Sequence, residues 1–149
     1  MIETAIDGLK IIPLKKYQDE RGMVLKMLSI KSKYYERFGE IYFSYTKPGI
    51  IKGWKLHEIM QQNFVVPVGH IYFVFYDERK NSKSFGKVAK VDLCIDNYSL
   101  LKVPNKIWYS FKCISSNTAM IVNCSSIPHD PDEIKTCTIN DCKIPFNWT

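Results

Sequence analysis

The sequence predicts an all-β sandwich or barrel with one short helix, on three observations. Short apolar runs rich in β-branched and aromatic residues recur about every ten residues. Gly (7) and Pro (7) are few, yet they fall between those runs, as in Lys47-Pro48-Gly49 and Pro67-Val68-Gly69. The length of 149 residues, 46% hydrophobic and 24% charged, suits one globular domain over residues 1–149, and no linker, internal repeat or low-complexity segment interrupts it.

Taken in order, the expected strands are residues 9–14 (LKIIPL), 23–28 (MVLKML), 40–45 (EIYFSY) and 50–57 (IIKGWKLH), then 62–67 (QNFVVP) and 70–76 (HIYFVFY). Residues 87–94 (KVAKVDLC), 99–103 (SLLKV), 108–113 (WYSFKC) and 118–124 (TAMIVNC) complete the series. The helix is expected over residues 32–38 (SKYYERF), with Ser32 as its N-cap. The run HIYFVFYD is apolar at both parities, so its strand is either buried on both sides or lines an enclosed pocket.

Charge and cysteine usage narrow the function classes. The net charge of +6, from 21 Lys and Arg against 15 Asp and Glu, suits an anionic ligand such as a diphosphate. The basic residues are scattered rather than gathered, which argues against nucleic acid as a partner. No apolar run is long enough to cross a membrane and no N-terminal signal segment is visible, so a soluble cytoplasmic protein is expected. The five cysteines, Cys94, Cys113, Cys124, Cys137 and Cys142, contain no CxxC pair and are expected to be free thiols.

Strand alternation over residues 50–57 turns Lys55 and His57 to one face and Trp54 and Leu56 to the other. The spacing Gly49-x5-Lys55-x-His57-x3-Gln61 resembles the first motif of the cupin jelly rolls, G-x5-H-x-H-x3-E, whose two His and Glu bind one metal ion. Val103-Pro104-Asn105 then leads to Tyr109, at the place of the second motif, P-x-G-x2-H, with the glycine and the histidine replaced. Of the four ligand positions His57 alone keeps its type. Protonated lysine, neutral glutamine and tyrosine are poor ligands for a divalent ion, so no metal is expected.

The resemblance extends beyond the cupin outline. DERG (19–22), KGWKLHE (52–58), VFYDERKNSKSFGK (74–87), DNYSLLKVPNKIWYSFK (96–112), NCSSIPHDPDEI (123–134) and NDCKIPFNW (140–148) follow one another in the order seen in the dTDP-4-dehydrorhamnose 3,5-epimerase family. The chain resembles most the shorter epimerase-related branch of those metal-free cupins. This implies a cupin jelly roll, no cofactor, a nucleotide-sugar ligand, and a homodimer that exchanges N-terminal strands, for which the apolar LKIIPL segment is suited. It also implies removal of a proton beside a 4-keto group and its return on the opposite face.

Such chemistry needs a base, an acid across the ring, a donor for the enolate oxygen and cations for the diphosphate. At matching positions, the resemblance implies that Arg21 touches the nucleotide or diphosphate and that Lys52 holds the ketone oxygen or a phosphate. By the same resemblance Asn63 stands near the position of a family lysine that supports the enolate, and Asp77 and Asp141 match acidic family positions, Asp141 being the carboxylate that would orient the base histidine. The sequence departs from the family where protons move. Lys55 takes the place of the base histidine, Ile127 or Pro128 that of the acid tyrosine, Tyr109 that of a pocket histidine, and Lys26 that of a glutamate. Since imidazole is the side chain best suited to take up a proton at neutral pH, His57 becomes the expected base, with Lys55 polarising the ketone and Tyr109 a candidate acid. The alternative expectation is a pocket that binds a sugar or nucleotide sugar without turning it over.

Overall fold

The computed structural model describes residues 1–140 and 143–149. Its strands are β1 (Ile2–Glu3), β2 (Lys10–Pro13), β3 (Lys16–Asp19), β4 (Gly22–Leu25), β5 (Glu40–Thr46), β6 (Ile51–His57) and β7 (Gln62–Val68). They continue with β8 (His70–Asp77), β9 (Val88–Cys94), β10 (Ser99–Val103), β11 (Ile107–Cys113), β12 (Ala119–Ser125) and β13 (Ile134–Thr136). Each expected strand forms with ends close to those read from sequence, the largest difference being β4, which stops at Leu25. Three strands gave no signal. β1 and β13 are too short to show a period, and β3 (KYQD) carries mostly polar side chains.

Two antiparallel sheets face each other, a jelly roll. One has the order β1-β2-β10-β7-β12-β5 and the other β13-β6-β11-β8-β9, while β3 and β4 form a separate hairpin. Their inner faces meet in a core that includes Phe64, Val66, Ile71, Phe73, Phe75, Leu101 and Phe111. Each fully buried side chain of this kind contributes about 1.5–3 kcal/mol. The two-sided run in β8 has its explanation here. Phe73 and Phe75 fill the core, whereas Tyr72, Val74 and Tyr76 pack on the outside under Ile144, Phe146 and Trp148 of the C-terminal segment. That segment alternates half-buried and exposed residues from 143 to 149, so it lies over the sheet much as a strand would.

The expected helix over residues 32–38 does not form. Two successive turns replace it, closed by the Ser32 N–H on the Ser29 carbonyl (2.8 Å) and the Tyr35 N–H on the Ser32 carbonyl (3.0 Å). Seven residues are too few to sustain a helix without tertiary support, and Lys102 from β10 claims the Tyr34 carbonyl (3.1 Å) and pairs with Glu36. The described helical turn is the 3-10 turn Pro131–Glu133. Cys94, Cys113 and Cys124 are free as expected, but Cys137 is disulfide-bonded, which corrects the free-thiol expectation there.

Candidate active site

A cleft opens between the inner faces of β5 and of β6 and β11. It has two lobes, of about 150 Å³ and 260 Å³, which share Tyr42, Lys55 and Tyr109 in their walls. Lys52, Ser44 and Phe64 line the first lobe; His57, Glu40 and His129 line the second.

The backbone of β6 puts the two lysines there. Simple alternation would place Lys52 and Lys55 on opposite faces, because their spacing is odd. The pairing with β11 slips by one residue, so that Tyr109 faces Lys55 but Ser110 faces Gly53, leaving Trp54 as the extra residue of a β-bulge. The bulge turns both lysines into the cleft and leaves Trp54 and Leu56 packed on the outer face. Glycine is required at its centre: Gly53 has φ +119, and a Cβ there would lie 2.7 Å from Ser110 Cα.

Lys52 Nζ donates to the Tyr45 carbonyl at 2.8 Å and reaches Ser44 Oγ at 3.5 Å, so it ties the two sheets together. Among the described residues neither Lys52 nor Lys55 is paired with a carboxylate. Two cations on one cleft, without a carboxylate partner among the described residues, attract an anionic ligand.

His57 is 5% exposed, and its Nδ1 lies 2.5 Å from Oε1 of Glu133, which is 4% exposed. Glu133 Oε2 accepts the backbone N–H groups of Ile59 (2.9 Å) and Met60 (3.3 Å). Burial raises the Glu133 pKa, but the bonds from His57 and these two N–H groups outweigh it and hold the group below the usual carboxylate range. An ionised Glu133 accepts from Nδ1–H, so the neutral tautomer of His57 that fits this contact has its proton on Nδ1 and its lone pair on Nε2. Tyr109 stacks beside it, rings 12° apart and centroids 6.1 Å apart, on the same sheet. Burial pushes its phenol well above the ordinary value.

Local sequence aims Glu133. Asp130 caps the 3-10 turn by accepting the Asp132 N–H (3.0 Å), Pro131 opens it, and β13 then pairs with β6 in a register that sets Ile134 opposite His57. Lys106 fills the glycine place of the second cupin motif at φ 60, and its N–H holds the His57 carbonyl at 2.6 Å.

His57, Lys55, Lys52 and Tyr109 are thus brought together. The other expected residues lie elsewhere. Asn63 is on the outer parity of β7; its Nδ2 donates to the Cys124 carbonyl (2.9 Å), and its neighbour Gln62 faces inward to Asn123. Asp77 is fully buried and bonded to Arg79 (2.8 Å), Ser82 (2.7 Å) and Ser84 (2.5 Å). Burial would raise its pKa, but these bonds overcome that and hold it far below the ordinary value. It anchors the 78–87 loop. Arg21 pairs with Asp19 at the hairpin tip and lines a separate hollow. Asp141 lies outside the described residues. Sequence reasoning missed Glu133, which is 76 positions from His57, together with Tyr42 and His129. An acidic residue after a Pro-opened turn was the one local signal for Glu133. Among the described residues no three His, Cys, Asp or Glu side chains converge to hold a metal ion.

Comparison with known proteins adds to this geometry. The sequence pattern of the dTDP-4-dehydrorhamnose 3,5-epimerase family matches residues 3–149. The chain is 30% identical over 145 residues to the spore coat polysaccharide biosynthesis protein SpsL of Bacillus subtilis (strain 168), covering 96% of each. Its fold matches the crystal structure of a dTDP sugar isomerase from Desulfovibrio desulfuricans G20 with a TM-score of 0.97 at 40% identity, over 99% of this chain and 95% of that one. It also matches the epimerase RmlC from Legionella pneumophila Philadelphia 1, solved in complex with dTDP-4-keto-L-rhamnose, with a TM-score of 0.84 at 25% identity, over 99% of this chain and 84% of that one.

Proposed function

The chain belongs to the dTDP-4-dehydrorhamnose 3,5-epimerase family, and from that premise we propose that it is a dTDP-sugar epimerase or isomerase of polysaccharide synthesis, acting on a 4-keto-6-deoxy sugar nucleotide in the cytoplasm. The observation that carries this reading is the buried His57–Glu133 pair beside Lys52 and Lys55 on one cleft. His57 Nε2 removes the proton from the carbon next to the ketone, and the electron pair moves onto the keto oxygen as an enolate. Lys55 stabilises that oxygen and Lys52 holds a phosphate or the same oxygen as a point charge. Tyr109, beside His57, is a candidate proton donor, and Glu133 takes the orienting role that the family resemblance implied for Asp141.

A homodimer joined through N-terminal strands belongs to the same proposal. β2 lies against β10 of its own chain, but Val24 of the hairpin and Phe43 and Tyr45 of β5 are exposed apolar side chains that a second copy would cover. Such an interface would also give Arg21 a ligand to hold, since it does not line the cleft of its own chain. Light scattering at micromolar concentration is expected to return twice the chain mass; a monomer counts against the interface.

Incubation with dTDP-4-keto-6-deoxyglucose in D2O tests the chemistry. Deuterium is expected at a carbon flanking the ketone, abolished in His57→Ala and reduced in Lys55→Ala. Tight binding by calorimetry without exchange above a no-enzyme control would instead support a pocket that binds its sugar unchanged. Uptake lost in Lys55→Ala but kept in His57→Ala would make lysine the base.

A further inference from the structure

Inversion at carbon needs a proton donor on the face of the sugar opposite the base. His57 and Tyr109 stand on adjacent strands, β6 and β11, with nearly parallel rings, so both approach a ligand from one wall. The facing wall is β5. Its Tyr42 lines both lobes of the cleft, together with Lys55 and Tyr109. We infer that Tyr42 is the acid that completes the inversion, giving its phenol proton to the carbon from which His57 has taken one. This rests on the reading of His57 as the base of an epimerase.

The hydrogen bonds around Tyr42 favour that role. Asn123 is fully buried, and its Oδ1 accepts the backbone N–H of Asn63 at 3.2 Å, which fixes the orientation of its amide. Its Nδ2 therefore faces Tyr42 and donates to the phenol oxygen at 2.8 Å. The phenol accepts that bond, and its own O–H has no acceptor among the described residues. It is free to point into the cleft. Partial burial raises the Tyr42 pKa, the bond from Asn123 lowers it and Glu40 raises it further, for a net rise that keeps the proton in place at neutral pH. The Asn123 donor then stabilises the phenolate left behind.

The proton balance closes. His57 Nε2 takes the proton, leaving an enolate with its charge on the keto oxygen near Lys55. The enolate electrons return to the carbon as Tyr42 delivers its proton from the other side, and the ketone is restored. The enzyme is left with an imidazolium and a phenolate, which exchange protons with solvent through the open cleft before the next turnover.

Tyr42→Phe separates exchange from inversion. In D2O with dTDP-4-keto-6-deoxyglucose, the variant is expected to keep His57-driven deuterium exchange with retained configuration. It should lose inversion by about 100-fold or more, followed by proton NMR coupling constants. Tyr109→Phe, which removes the hydroxyl on the same wall as His57, is expected to lose less inversion than Tyr42→Phe. Circular dichroism and melting temperature establish that both variants fold. Inversion retained in Tyr42→Phe, or lost only in Tyr109→Phe, overturns the assignment while leaving the base intact. Exchange without inversion in the wild type also overturns it. No exchange in the wild type refutes the epimerase reading itself.

Discussion

Replacing Glu133 with Gln tests the origin of the base most directly. In the wild type, Oε2 accepts two backbone N–H groups, from Ile59 and Met60, while Oε1 faces His57 Nδ1. A glutamine has one carbonyl oxygen. If that oxygen stays with the two N–H groups, the amide nitrogen faces Nδ1, and the imidazole must carry its proton on Nε2, where it can no longer act as a base. If the amide flips to restore the tautomer, the buried Met60 N–H and the part-buried Ile59 N–H lose their acceptor at about 2 kcal/mol each, or about 4 kcal/mol together. At 1.36 kcal/mol per factor of ten, the productive tautomer falls to about a thousandth of the population. The expected result is an exchange rate about a thousandfold lower with ligand affinity by calorimetry nearly unchanged, since Glu133 does not line the cleft. Nitrogen NMR of the imidazole should show the proton on Nδ1 in the wild type and on Nε2 in the variant. Exchange within tenfold of the wild type, or a wild-type proton already on Nε2, would refute this reasoning.

Two further perturbations follow from the scaffold. Gly53→Ala should destabilise the fold by about 3 kcal/mol in urea titrations, because the left-handed φ and the approach to Ser110 and the Tyr109 carbonyl at 2.8 Å leave no room for a Cβ; an unchanged midpoint would mean that the bulge is not obligatory. Asp77, whose pKa is depressed by folding, contributes stability that is full above its unfolded pKa of about 4 and is lost as pH falls from there toward the folded value. Asp77→Asn should cost about 3 kcal/mol at neutral pH and flatten the acid side of the stability profile between about pH 4 and 2; a profile as steep as the wild type's would assign that loss to other carboxylates.

Much of the fold was legible locally. The regular return of β-branched and aromatic runs located each of the longer strands, because period-two burial writes itself into side-chain type. The 32–38 segment misled for the opposite reason: its helical composition is weak beside the hold that Lys102 takes on the Tyr34 carbonyl and Glu36. In the site, alternation correctly paired Lys55 with His57. It could not include Lys52, since the bulge that reverses parity arises from pairing with β11. Asn63 and Asp77 matched by position, but β7 turns the first outward and the second serves its own loop.

The sequence by itself determined the all-β class, the placement of the longer strands, the poor donor set at the cupin ligand positions and the shared face of Lys55 and His57. The tertiary structure decided what His57 can do. Its partner carboxylate is 76 residues away, and the tyrosine facing it belongs to the other sheet. Chain distance carries no information about such neighbours, because they are set by strand order and register, which only the packing of the two sheets defines.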